Sequence, residues 1–404
     1  MFDIFKNDIE TFEQEANDNI HVFYTSKSCS DSIVKAFRFN GKESPEAEEF
    51  GIKTIRQSLI DKECSLIILE LTEAVDYVAE LEDVRHFLPS RVPALVIGKV
   101  DSLRLVEKLN RMGFYYLLWP NQEEHIVKLV DSITSERPVG QVLNAERLAT
   151  RIHILPSKGG VGATLIASLL AQELSSNRKI PSLIVDHSIQ GSNLDIMLGL
   201  KNFTRTSMPQ EEQQEFDLSY AMSMTTRVNS SCSILSLENE HTNYEEYQGS
   251  IGNLVSILDK GFNFVIEDHS SSILSDSLLD RMSNSTDILI LVVEPTVSSL
   301  RMAKKQLKTV LSPESGLRVI PVVNYVRPQK SATVDVSEVS QHLGVNAEII
   351  LPFDQGIAQQ IIDGVEVHKL KNTFGKKFDD FVSLLLGEQR LHQNSFLTKL
   401  LRRK

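Results

Sequence analysis

Residues 151–174 read RIHILPSKGGVGATLIASLLAQEL. The apolar run RIHILP at 151–156 predicts a strand, and Leu165–Leu174 (LIASLLAQEL) carries the apolar density and length of a helix. Between them lies SKGGVGAT, Ser157–Thr164. Gly159, Gly160 and Gly162 let the backbone turn tightly and bring its N–H groups toward an anion. The start of the following helix adds the positive end of its dipole. Thr164 supplies a hydroxyl suited to a phosphate-bound Mg²⁺. A glycine-rich loop carries this meaning only between a strand and a helix, and that context is present here.

The same rhythm continues outward. Strands are predicted at 182–185, 233–237, 264–267, 287–293 and 319–324. The polar, acidic stretch 202–230, with QEEQQE at 210–215, reads as a surface excursion. Toward the N-terminus, IHVFY (20–24), SLIILEL (65–71), ALVIG (94–98) and FYYLLW (114–119) are strand candidates. They alternate with helical patterns such as 103–112 and 124–133. Continuous apolar strands alternating with helices predict parallel sheets covered on both faces. The fold class is therefore α/β, a doubly wound domain followed by a phosphate-loop domain with a mainly parallel sheet. The expected divisions are 1–137, a linker at 138–150 containing Pro138 and Gly140, a second domain at 151–388 and a tail at 389–404.

Composition sets limits on function. A chain of 404 residues, 41% hydrophobic and 24% charged, has the make-up of a globular protein of two to three domains. No apolar run approaches the ~18 residues that span a bilayer, and Met1–Glu10 lacks the features of a secretory signal, so a cytoplasmic location is expected. The net charge of −12 gives no whole-molecule attraction for nucleic acid. Cys29, Cys64 and Cys232 are too sparse for a disulfide framework or a metal cluster.

The 157–164 loop resembles that of the MinD/ParA family of P-loop ATPases, whose pattern is KGGxGK[ST]. Lys158 matches the family's first lysine, while Ala163 stands where the second is expected. The segment LIVDHSIQGSNLDIML (183–198) is similar to the first switch, with Asp186 as its first aspartate and Ser188 where the second would position water. FVIED (264–268) resembles a Walker B strand, and EPTVSSLR (294–301) the turn and helix after the next strand. The resemblance implies that Lys158, Gly159, Gly160, Val161, Gly162, Ala163 and Thr164 cradle ATP phosphates. It implies Mg²⁺ near Thr164, with Asp186 and Asp268 acting through water. It also implies adenine contacts from Asn324 and from Pro352 in LPFDQ, and a homodimer across which Lys158 reaches the partner's phosphates. Lys158 and Asp186 are the residues that would serve hydrolysis. Ala163 and Ser188 remove groups that stabilise and direct phosphoryl transfer, so at most weak ATPase activity is expected.

The first domain has the rhythm of a response-regulator receiver. Thr25-Ser26, Glu70, Gly98 and Trp119-Pro120 occupy the positions where a working receiver carries its acidic pair, phosphoacceptor, hydroxyl and lysine. A module kept for protein contact is expected, with Glu70 as a phosphorylation mimic a lesser alternative and Trp119 a buried anchor. The two parts together resemble the TadZ/CpaE proteins of tight-adherence (Flp) pilus assembly. That resemblance implies a nucleotide-dependent scaffold at a cell pole, partnered by a pilus secretion ATPase or a polar landmark. The alternative is an active MinD/ParA-type ATPase positioning cargo. In the tail, Phe396, Leu397, Leu400 and Leu401 recur at helical spacing beside Lys399, Arg402, Arg403 and Lys404. Such an end suits weak contact with the inner membrane, a partner-binding helix, or a frayed terminus.

Overall fold

A computed structural model describes residues 19–60, 64–121, 123–134, 147–189, 191–208, 217–238, 243–270, 278–279, 282, 286–311 and 317–388. The readings for Met1–Glu10, 138–146, 210–215 and the tail at 389–404 lie outside these residues. The chain forms two compact units, residues 1–75 with 92–145, and residues 76–91 with 146–404.

The first unit is built on β1 (Ile20–Tyr24), β2 (Glu46–Glu49), β3 (Leu66–Glu70), β4 (Ala94–Gly98) and β5 (Tyr115–Leu118). All pair in parallel, in the order β2-β1-β3-β4-β5. This is the flavodoxin-like doubly wound order. The β3 and β4 strands are buried along their whole length, as a parallel sheet covered on both faces requires. β2, sequence EAEE, carries no apolar signal and pairs along the sheet margin through its backbone. Its acids keep that edge unattractive to other strands.

Glu70 does not present a phosphate-like group to solvent. It is fully buried and accepts hydrogen bonds from the backbone N–H groups of Thr25 (2.8 Å), Ser26 (2.6 Å) and Thr72 (2.8 Å). The lesser alternative is corrected accordingly: the carboxylate satisfies the loop donors that burial would otherwise leave without partners. Trp119 is half-buried against the cluster formed by Ile20, Ile33 and Ile97. Burial pushes the Cys29 and Cys232 thiols up to about 12, so neither is a nucleophile near neutral pH.

The second unit is built on β6 (Thr150–Pro156), β7 (Ser182–Asp186), β8 (Thr206–Ser207), β9 (Thr226–Asn229), β10 (Cys232–Glu238), β11 (Phe264–Asp268), β12 (Ile288–Val293), β13 (Arg318–Asn324) and β14 (Ile349–Leu351). The order is β14-β13-β12-β6-β11-β7-β10-β8, parallel throughout, with β9 antiparallel on β10. Central strands β6, β11 and β7 put their carboxyl ends side by side, pairing Asp268 with both Ile154 and Asp186. Ligands of open α/β sheets sit at such ends.

The stretch 202–230 differs from the expected excursion. Thr206 pairs with Leu237, β9 joins β10, and Ala221 and Met224 enter the core formed with the helix Tyr244–Leu258. Its apolar residues are few but correctly spaced to seal the sheet margin. Among the described residues, no helix is long and apolar enough to cross a membrane.

Candidate functional site

The loop after β6 is shaped by its glycines. Gly160 and Gly162 take φ values of +78° and +88°, a region that disfavours side chains. A Cβ on Gly159 or Gly160 would meet nothing within 4 Å, so the backbone there faces open space. A Cβ on Gly162 would lie 2.5 Å from Asn324 Nδ2. Asn324 is buried, and its amide donates to Val161 O at 2.9 Å. The structure thus engages Asn324 as a clamp on the loop. Gly162 precedes the helix Ala163–Gln172, whose Ile166, Ala167, Leu169 and Leu170 anchor it in the core. Ala163 is itself buried.

Thr164 lies at the start of this helix, and its hydroxyl is hydrogen-bonded to that of Ser270. Ser270 N donates to Asp268 Oδ1 at 3.0 Å. Asp268 Oδ2 is buried and has no hydrogen-bond partner. Burial pushes the Asp268 carboxyl up to about 6, with Asp186 adding to the rise, while Ser270 and Thr164 pull the other way. An orphaned buried carboxylate oxygen beside a threonine hydroxyl and an open glycine backbone fits a hydrated cation and phosphate. Thr164 and Asp268 would hold Mg²⁺, and 158–164 the phosphates.

Asp186 has another environment. Its Oδ1 accepts from Ser188 N at 3.0 Å, and its Oδ2 from Ser192 Oγ (2.9 Å), Arg205 Nη2 (2.9 Å) and Ser236 Oγ (3.1 Å). Arg205 also donates to Ser188 O and Ile189 O. The carboxylate is the hub of the turn after β7, with its charge balanced by Arg205. Ser188 is buried, and its carbonyl also accepts from Tyr247 Oη at 3.1 Å. No carboxylate stands at this position to orient a water.

Lys158 forms an ion pair with Glu294 of its own chain at 2.7 Å. Glu294 is buried, and its N–H donates to Ser299 Oγ, which is hydrogen-bonded to Ser157 Oγ. A cleft of about 260 Å³ opens beside Lys158 and Gly159, bounded also by Ser270, Lys305 and Gln306. Pro352 directly follows β14. Tyr325, the residue after Asn324, donates its N–H to Leu351 O at 3.0 Å, which brings the ends of β13 and β14 side by side.

The loop, Thr164, Asp268 and Asn324 therefore come together at the strand ends. Three partners were not singled out from sequence. Glu294 lay within a quoted motif without a role, Arg205 lay in the stretch read as an excursion, and Ser270 follows the strand that ends in Asp268.

Solved structures are similar to part of this chain at low identity. A ParA-family ATPase from Chlorobium tepidum TLS is 19% identical, with a TM-score of 0.45 over 58% of this chain and 97% of that one. The septum site-determining protein MinD of Pyrococcus horikoshii OT3, complexed with Mg-ADP, is 18% identical, with a TM-score of 0.46 over 59% and 98%. A variant of Cyanothece McdA in complex with ATP is 18% identical, with a TM-score of 0.43 over 59% and 96%. No protein-family model matches the sequence, and no curated protein does. Identities this low leave each residue's role to the geometry of this chain.

Proposed function

We propose that the second unit binds ATP with Mg²⁺ and that the protein acts as a nucleotide-dependent dimeric scaffold, with weak or no hydrolysis, in assembly of a Flp (tight-adherence) pilus. The observation that carries the nucleotide reading is the orphaned Asp268 oxygen beside Thr164, under a glycine loop whose backbone faces open space. Bound Mg²⁺ would supply charge to a phosphate group, and backbone N–H groups of 158–164 would orient it. Ala163 brings no cation to the phosphates. Losing one charged hydrogen bond costs about 1.5–3 kcal/mol, a loss that the backbone cradle and Mg²⁺ can absorb. Weak turnover follows from Ser188, which is buried and has no carboxylate.

The pilus role rests on the combined resemblance of the two units, and a place at a cell pole or inner-membrane face follows from the same reading. Dimerisation through Lys158 requires it to exchange Glu294 for a partner's phosphate, which a polyanion favours. The test is ATP binding and hydrolysis with and without Mg²⁺, beside Lys158→Ala and Ala163→Lys, with oligomeric state measured in parallel. Mg²⁺-dependent binding without turnover, accompanied by dimer formation that Lys158→Ala weakens, supports the reading. Ready turnover moves the protein to the cycling, cargo-positioning ATPases, and absence of binding refutes the nucleotide site.

A further inference from the structure

Each of the two acids at the strand ends is followed by a histidine, in Asp186-His187 and Asp268-His269. Both histidines are buried and join His153 of β6 and Glu267 of β11 in one cluster. Glu267 and His153 are register partners on adjacent strands. His187 Nε2 lies 2.7 Å from Glu267 Oε2, and His153 Nδ1 shares a hydrogen bond of 3.0 Å with His269 Nε2. His187 stacks on His269 with ring centroids 4.0 Å apart. One donor atom each from His153, Glu267 and His269 fall within 4.8 Å of one another.

Two features of this cluster are not those of a completed hydrogen-bond network. His153 Nε2 and Glu267 Oε1 face each other as a buried ion pair at 3.0 Å, but outside hydrogen-bond geometry. Buried polar atoms that meet without hydrogen-bond geometry are poorly satisfied in a dry interior. A metal held between them would satisfy both. Their spacing is a few tenths of an ångström short of the ~3.3 Å edge of a tetrahedron with ~2.05 Å bonds. The second feature is His187 Nδ1, which lies 2.9 Å from Gln248 Oε1. With Nε2 against Glu267 Oε2, the ring bridges Gln248 and the carboxylate and orients the latter, the usual arrangement behind a metal-bound carboxylate.

We propose that His153, Glu267 and His269 bind a transition-metal ion, with His187 hydrogen-bonded behind the carboxylate, and that two imidazoles and one carboxylate select Zn²⁺. Binding replaces the hydrogen bond between His153 and His269, because a histidine cannot share that proton and present both nitrogens. The ion ties β6 to β11 and the residue that follows it, next to the end that carries Asp268. This site is separate from the nucleotide site and does not depend on it.

The test is metal content of the full-length protein, purified without chelator and again after refolding with Zn²⁺ or Co²⁺. About one ion per chain is expected, with the visible absorbance of tetrahedral Co²⁺ in the cobalt form. Glu267→Gln loses the ion while Asp268→Asn keeps it, and circular dichroism establishes that both variants are folded. Loss from Asp268→Asn with retention in Glu267→Gln would place the metal on the phosphate side and overturn the proposal. So would wild-type protein that refolds without taking up either ion, a result that needs no variant to fold.

Discussion

Gly162→Ala probes how the phosphate loop is held. At φ +88° an alanine pays the left-handed penalty of ~1–2 kcal/mol, offset by about 0.4–1 kcal/mol from the stiffer unfolded chain. The new methyl would also lie 2.5 Å from Asn324 Nδ2, so that amide must leave Val161 O. Displacing a buried hydrogen bond adds about 1–3 kcal/mol. The total is about 2–4 kcal/mol, which at a slope of ~3 kcal/mol/M moves the urea midpoint by about 1 M. The assay is urea unfolding followed by far-ultraviolet circular dichroism, with fluorescent ATP-analogue binding in parallel. Binding should weaken at least ~10-fold, because the Val161 segment released by Asn324 belongs to the cradle. Asn324→Ala removes the obstructing amide. The double variant should therefore lose less than the sum of the singles, by about 1 kcal/mol. Additive losses would refute the clamp, and wild-type unfolding and binding in Gly162→Ala would refute the loop geometry itself.

Other outcomes follow from the same contacts. Arg205→Ala leaves the buried Asp186 carboxylate without its cation and should cost ~3 kcal/mol in urea unfolding, with at least half recovered on adding Asp186→Asn. The folded Asp268 carboxyl holds its proton to about 6, whereas the unfolded one releases it near 3.8. Between those values the folded state binds more protons, so stability falls as pH rises through the window, and the penalty is complete above it. Asp268→Asn should therefore raise ligand-free stability near neutral pH by roughly 1–3 kcal/mol and flatten that part of the profile. It should also abolish stabilisation by MgCl₂ with ATP, as read from thermal melts. Glu70→Ala should destabilise the first unit by about 3 kcal/mol, and Glu70→Gln by less because one acceptor oxygen remains. The single tryptophan, Trp119, reports that unfolding by fluorescence.

The sequence by itself determined the elements and the loop. The expected strand 20–24 is β1 residue for residue, and the predicted strand 182–185 extends by one residue into Asp186. Runs such as ILILVV are apolar throughout because both faces are covered, a signal that needs no tertiary knowledge. The glycines of 159–162 were legible for a similar reason, since tight turns and positive φ restrict residue type locally. β2 was not legible, because an acid-rich marginal strand carries no apolar pattern.

Tertiary structure alone decided which charges meet. Lys158 and Glu294, Arg205 and Asp186, and Thr164 and Ser270 are far apart in sequence, and no periodicity links them. The same holds for His153, His187, Glu267 and His269, which come from β6, from β11 and from the residues that follow β7 and β11. Local rules fix backbone conformation through sterics within a few residues. The environment of a buried charge depends on every chain segment that displaces water from it, and only the folded sheet brings those segments together.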